Sequence, residues 1–282
     1  MHPIVVRMRP LLLSGTRLSE ADLLLDVATN SAPAVQFERS IKFSTQGIAW
    51  DRFLLGMAGD AFDLAATHHL ATRLGMPDDL QEALDTAYQP PSTVLLGFER
   101  AGSRYTYKLY LEFWGQLVSQ VRRSGAQSAP LLLNIGFKWD LQDPGGTATT
   151  AYTCYPMLTV PRILERIGPL IPEREFLLTE TARELVLAAA RNAEVADFVY
   201  MEAVEAGVRH SFDLNLYKGN LIMMDVGYRL TRLAHQLCPD QSVHLLEHVG
   251  GCPLGHVSAG MDRAGDPFLT VYFEDELPKP GP

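Results

Sequence analysis

Runs of alternating apolar and polar residues recur along the chain in pairs separated by turn-forming residues, and that pairing predicts β-hairpins. Residues 93–99 pair with 104–114 across Ala101-Gly102-Ser103, and 131–140 with 149–155 across Asp143-Pro144-Gly145-Gly146. Residues 198–205 pair with 209–217 across Ala206-Gly207, and 255–262 with 268–274 across Gly265-Asp266-Pro267. An earlier strand covers 36–44: Phe37, Ile41 and Phe43 lie on one face, Glu38, Ser40, Lys42 and Ser44 on the other, and Arg39 interrupts the apolar side. Between these runs the period turns helical. Helices are predicted over 18–28 with Ser19 as cap, 51–74, 78–87 ended by Pro90-Pro91, 115–123, 160–167, 181–192 capped by Thr179 or Thr181, and 221–237.

Hairpins make antiparallel sheet, which disfavours a doubly wound parallel fold. With an N-terminal hairpin there are about five such units, each an αββα repeat. A closed antiparallel β-barrel of about ten strands removes the exposed edges, and helices around the outside cover the apolar faces. The expected class is therefore α+β, a single domain over 1–282. The polar faces then turn inward: Arg104, Thr106, Lys108, Tyr110 and Glu112 in one unit, Ser211, Asp213, Asn215 and Tyr217 in another. An open sheet with its polar face in water fits the same alternation. The polar face carries tyrosines, whose rings are costly to leave in water, and this favours the closed form.

Composition narrows the partners. A net charge of −9 argues against a nucleic-acid partner. Apolar residues are 47% of the chain, enough for a core, yet no run approaches the ~18 residues that span a bilayer. Three cysteines without close spacing, and an N-terminus without the apolar run of a secretory leader, predict a reduced, cytoplasmic monomer.

Four strand-like runs end on tyrosine: Lys108-Leu109-Tyr110, Thr153-Cys154-Tyr155, Asn215-Leu216-Tyr217 and Thr270-Val271-Tyr272. The first resembles the Lys-x-Tyr that contacts diphosphate in the fungal indole enzymes of the ABBA-type (PT-barrel) aromatic prenyltransferases. Asn215-Leu216-Tyr217 is similar to the Asn-Leu-Tyr strand of the bacterial phenol and naphthalene enzymes. Strand 268–274 is similar to the closing strand that supplies the last tyrosine of that family's tyrosine shield, and Tyr155-Pro156 resembles its Tyr-Pro strand endings. The sequence departs from the pattern at Thr153, where fungal enzymes have basic residues before the tyrosine, and at Asp213.

The resemblance implies a barrel of ten antiparallel strands holding an allylic isoprenoid diphosphate beside an aromatic acceptor, a small molecule or a peptide. Lys and Arg stabilise the departing pyrophosphate without proton transfer. Tyrosine rings face the allylic cation and exclude water. By this analogy Lys42, Arg104, Lys108, Tyr110, Lys138, Tyr155, Arg209 and Asn215 bind substrate. Tyr217 and Tyr272 shield the cation, and Glu38 holds the N–H or O–H of the acceptor. A second reading pairs Glu38 with Lys42 or Arg39 on an exposed strand. No resident metal is predicted; a magnesium requirement stays open, because branches of the family differ.

Two rival functions remain at this stage. One is a non-catalytic barrel that binds an aromatic or tetrapyrrole-like ligand. The other is a zinc hydrolase on His244-Leu245-Leu246-Glu247-His248, which spells H-x-x-E-H but has little room for the required helix between Pro239 and Gly250-Gly251. His256, on the polar face of the last hairpin, is either a base in the lumen or a hydrogen-bonded structural histidine. Cys154 falls on the apolar parity of its strand.

Overall fold

Antiparallel pairing closes the chain on itself. The computed structural model describes residues 19–124, 129–194, 197–205, 209–239 and 246–277. Its strands are β1 (Ala34–Ser44), β2 (Gly47–Ala49), β3 (Arg52–Ala58), β4 (Thr93–Ala101), β5 (Arg104–Glu112), β6 (Leu131–Asp140), β7 (Asp143–Tyr155), β8 (Val199–Glu205), β9 (Arg209–Asn215), β10 (Leu254–Met261) and β11 (Pro267–Glu274). From β3 to β11 each strand pairs with its successor, β3 also pairs with β1, and β1 pairs with β11. Ten strands thus form a closed ring, and β2 is a short addition to the end of β1. Closure leaves the ring without a free edge.

The alternation on β5 shows how the barrel is turned. Tyr107, Leu109 and Leu111 are fully buried on the outer face, whereas Lys108, Tyr110 and Glu112 on the inner face keep partial exposure. The apolar side therefore packs under helices and the polar side lines the lumen. Among the described residues seven α-helices supply the cover: α1 (Glu20–Ser31), α2 (Leu64–Arg73), α3 (Asp78–Ala87), α4 (Trp114–Ser124), α5 (Val160–Ile167), α6 (Phe176–Ala189) and α7 (Gly227–Leu237). One core joins α1, α2 and α3 to the outer faces of β1 and β3–β6. Another joins α5, α6 and α7 to β8–β11. A third, smaller cluster sets Leu117 of α4 against Leu133, Cys154 and Met201. Buried donors on the outer strand faces tie the helical layer down: the Tyr107 hydroxyl donates to the Glu20 carbonyl at 2.8 Å and Trp139 Nε1 to the Leu74 carbonyl at 3.1 Å.

Glycine permits the hairpin turn and the packing of large inner side chains. Gly102 takes φ +62° in the tight β4–β5 turn, a conformation an L side chain resists. Across the ladder Gly97 faces Lys108 and Gly136 faces Tyr110; a Cβ at Gly136 would stand 2.7 Å from the Tyr110 ring. The neighbouring strand leaves room for that ring to lie across it.

Several local expectations change. Residues 52–58, expected as helix, form β3, and helix returns only at α2. The β6–β7 turn falls at Leu141-Gln142, where Asp140 Oδ1 accepts from the Gln142 amide at 2.8 Å; Asp143-Pro144-Gly145-Gly146 begins β7. α6 starts at Phe176 with Glu175 as its N-cap and no side-chain cap bond, in place of a start at Thr181. α7 begins at Gly227 after a 3-10 turn, Met223–Val226. Tyr217 lies beyond β9, in the 3-10 turn Tyr217–Gly219. The Ala206-Gly207 turn, His244 and the first eighteen residues lie outside the described residues. Among the described residues no helix is long and apolar enough to cross a membrane.

Candidate active site in the barrel lumen

Strand direction sorts the inner residues along the barrel axis. The hairpin connections lie at one end, and the segments that carry α4 to α7 leave from the other. Near the hairpin end the inner residues are cationic. Arg52 starts β3 and faces Glu99 near the end of β4. Glu99 accepts from Arg52 Nη2 at 2.5 Å and from Lys108, and Lys138 Nζ lies 3.7 Å from its second oxygen. Burial alone would raise the Glu99 carboxyl, but Arg52, Lys108 and Lys138 hold it well below the usual carboxylate range. Burial pulls Lys108 well below an ordinary lysine; Glu99 opposes this, and the neighbouring Lys138 and Arg52 add to it. Lys138 is lowered too, by burial first and, against Glu99, by Arg209, Arg263 and Arg52.

A second group adjoins the first. Glu205 accepts from Arg263 Nε at 2.6 Å, from Thr150 Oγ1 at 2.5 Å and from Arg209 Nη1 at 3.4 Å. Arg209 Nε is buried without a hydrogen-bond partner. Five basic side chains stand against two carboxylates, Glu99 and Glu205, at this end. Such a surplus in a confined lumen suits a polyanion. Tyr110 and Tyr152 meet edge to face at 5.8 Å beside these cations, and both are electrostatically coupled to Arg209.

The other end is acidic and aromatic. Glu38 is completely buried. Its Oε1 accepts from Gln36 Nε2 at 2.8 Å and from the Tyr217 hydroxyl, with His256 Nε2 at 3.4 Å. Its Oε2 has no partner. His256 also meets Asp213 through Nδ1 at 3.1 Å. Burial would discharge that imidazole, yet Glu38 and Asp213 together raise it well above an ordinary histidine. The ring sits between Tyr217 and Tyr272, at 5.6 and 5.7 Å. Burial likewise pushes Glu38 up, but His256, Tyr217 and Gln36 prevail and hold it below its usual value. The site therefore keeps an ionised carboxylate with one oxygen free.

Among the residues expected to form the site, Lys108, Lys138, Arg209 and Tyr110 gather near the hairpin end, and Glu38, Tyr217 and Tyr272 near the other. Glu38 pairs with neither Lys42 nor Arg39: Lys42 bonds Asp262 at 3.0 Å near the β10–β11 turn, and Arg39 turns outward to Asp275 at 3.5 Å. Asn215 lies on the inner face, but its Oδ1 accepts from the Tyr217 amide at 3.1 Å, so it shapes the turn that aims Tyr217.

Two expected residues are elsewhere. Arg104 is at the rim with its side chain 56% exposed, held by Asp140 and Asp143 at 2.9 and 2.7 Å. Tyr155 is on the outer parity of β7, facing Tyr200, with the Arg166 guanidinium of α5 3.8 Å from its ring centroid. Its place in the lumen is taken by Tyr152, and Cys154, expected on the apolar parity, shares Tyr152's face. β7 offers tyrosine on both faces, so the position of tyrosine does not tell which face is inner.

The sequence reading missed Arg52, Glu99, Arg263 and Tyr152. Arg52 was hidden inside an expected helix; Glu99 meets its cations only across strands. Among the described residues no cluster of side chains could hold a metal ion. Glu99 and Glu205 are already engaged by cations, so the cationic end of the lumen offers few free oxygens to a hard divalent cation.

The barrel, with its helices outside and its charged, tyrosine-bearing lumen, has the fold of the PT-barrel aromatic prenyltransferases. AnaPT from Neosartorya fischeri superposes with a TM-score of 0.57 at 13% identity, over 86% of this chain and 80% of that one. The 5-dimethylallyl tryptophan synthase from Streptomyces coelicolor, in complex with DMASPP and Trp, gives 0.55 at 16% identity, over 93% and 91%. Prenyltransferase PriB, in a ternary complex with L-tryptophan and dimethylallyl thiolodiphosphate, gives 0.54 at 15%, over 85% and 79%. No family model and no curated protein matches the sequence.

Proposed function

We propose that the protein transfers a prenyl group from an allylic isoprenoid diphosphate to an aromatic acceptor inside the lumen. The observation that carries this is the surplus of lumen cations around Glu99 and Glu205, placed along the barrel from a buried carboxylate with one free oxygen. Likeness to structures holding dimethylallyl thiolodiphosphate and tryptophan supports it. Lys108, Lys138, Arg52 and Arg209 take the diphosphate. The allylic C–O bond breaks and its electron pair leaves with pyrophosphate, whose charge these cations stabilise. A ring carbon of the acceptor attacks the allylic cation, a C–C bond forms, and the ring proton leaves to the adjacent pyrophosphate. Glu38 Oε2 accepts the ring N–H or O–H and makes the ring more electron-rich. Tyr110, Tyr152, Tyr217 and Tyr272 face the cation and keep water from it.

Because the cations already offset a polyanion, the reaction proceeds without magnesium. Free thiols at Cys154, Cys238 and Cys252 support a cytoplasmic location. The test is incubation with C5, C10 and C15 allylic diphosphates and a panel of indoles, phenols and aromatic peptides, with and without a chelator. A prenylated acceptor and released pyrophosphate are expected. Binding of donor or acceptor without turnover across the panel would replace the enzyme by a ligand-binding barrel.

A further inference from the structure

Glu112 completes β5 on the same inner face as Lys108 and Tyr110. At about 3.4 Å per residue it stands roughly 7 Å beyond Tyr110 and roughly 14 Å beyond Lys108, toward the acidic end of the lumen. Its cross-strand neighbours are Thr93 on β4 and Asn134 on β6. Burial, only partly offset by Thr93 and His256, raises its carboxyl, and the charge of Glu38 adds to the rise. Among the described residues Glu112 forms no ion pair, and the cation acting on both Glu38 and Glu112 is His256, which Glu38 and Asp213 already hold.

The unfilled hydrogen-bonding capacity here is of one kind. Glu38 Oε2 and Asn134 Oδ1 are both buried acceptors without a donor, on residues 0% and 8% exposed. Glu112 adds carboxylate oxygens beside Asn134. Buried acceptors left unmet are costly, so a molecule that fits this end brings donors. A protonated amine brings three, together with the positive charge that three carboxylates facing one imidazolium lack. A carboxylate on the same molecule would meet Glu112 and Glu38, while the imidazolium of His256 is already held by Glu38 and Asp213.

We propose that the acceptor is an aromatic compound bearing a protonated amine and no carboxylate, with the ammonium held by Glu112 and Asn134 Oδ1 while Glu38 Oε2 accepts from the ring N–H or O–H. This rests on the prenyl-transfer reading only for the ring's place beside the donor; the amine site itself is read from unmet acceptors.

The test compares three probes that share a ring: tryptamine, with an amine alone; L-tryptophan, with amine and carboxylate; and 3-methylindole, with neither. Each is titrated calorimetrically into the full chain in the presence of dimethylallyl thiolodiphosphate, and each is assayed for turnover with dimethylallyl diphosphate. Tryptamine should bind at least about tenfold more tightly than either of the others, the range of one charge-assisted hydrogen bond. In Glu112→Gln that ratio should collapse toward one. Equal binding of all three by the unmodified protein, tighter binding of L-tryptophan or 3-methylindole, no binding of tryptamine, or an undiminished ratio in Glu112→Gln would each overturn the proposal. The comparison in the unmodified protein stands even if the variant fails to fold. A tryptamine preference without product would instead uphold the amine site and remove the prenyl-transfer reading.

Discussion

Two carboxylates, Glu99 inside the barrel and Glu202 outside it, look alike by composition and differ in charge balance. Glu202 is on the outer parity of β8 and accepts from Arg166 Nε at 2.8 Å and the Tyr200 hydroxyl at 2.9 Å, with His210 Nε2 at 3.3 Å. One guanidinium meets one carboxylate, and the neighbours that complete the shell come from its own strand, from β9 and from α5. Glu99 is met by three cations, Arg52, Lys108 and Lys138. Burial would raise both carboxyls, and both are lowered because cationic and hydrogen-bonding partners prevail. The depressed carboxyl therefore does not separate a structural cluster from a binding one. The depressed lysines beside Glu99 do: burial lowers them first, and like charges crowded around a single carboxylate lower them further. The Glu202 cluster fastens α5 to the barrel, and the Glu99 cluster is the place where we propose that the diphosphate binds.

The largest expected effect lies at the acidic end. Glu38→Gln keeps the shape and removes the charge that activates the acceptor, so turnover should fall about 100-fold or more while donor affinity holds. Loss of donor binding in parallel with turnover would show that Glu38 organises the whole lumen. Outside the barrel, Glu202→Gln should leave donor binding intact and lower stability by about 2 kcal/mol, as expected for a disrupted buried charged hydrogen bond. Its pH dependence follows from the sign of the shift. The folded carboxyl lies below the ordinary value of 4.5, so its contribution is present above that pH and is lost as pH falls through the folded value. The variant should lose less melting temperature on acidification than the parent. An identical acid limb in both proteins would mean that the Glu202 cluster fastens nothing.

A smaller effect is expected at the aromatic wall. Tyr272→Ala should raise the share of free prenyl alcohol over prenylated product a few-fold, about the size of one lost cation–π contact, and Tyr272→Phe should do so less. Equal alcohol shares in both variants would point to the hydroxyl, which is coupled to Arg52, in place of the ring face.

The barrel was legible because four hairpins alternate cleanly and their turns carry glycine at Gly102 and Gly265. The strand at Arg52–Ala58 was not, because Leu54 and Gly56 on its inner face are no more polar than Phe53 and Leu55 on its outer face, which leaves no period of two to detect. That one misassignment concealed Arg52. Lys108 and Glu38 could be put on the inner face from the alternation of their strands, and their roles came from the resemblance. Glu99 could not be matched to Lys108, and His256, although placed on the polar face of its hairpin, could not be matched to Glu38, because a charge pair formed across strands leaves no spacing in the sequence. Arg104 shares a face with Lys108 and differs only in nearness to the turn, a distinction that rests on where the rim lies.

The most direct test of the account is calorimetric titration of dimethylallyl thiolodiphosphate, in the presence of a chelator, into the parent protein, Arg52→Ala and Arg166→Ala. The parent should bind one equivalent without metal. Arg52→Ala should lose ~1.5–3 kcal/mol of affinity with its melting temperature kept, and Arg166→Ala should bind as the parent does while melting earlier. Equal weakening in both variants, or no binding by the parent, would contradict the claim that the surplus lumen charge is a diphosphate site.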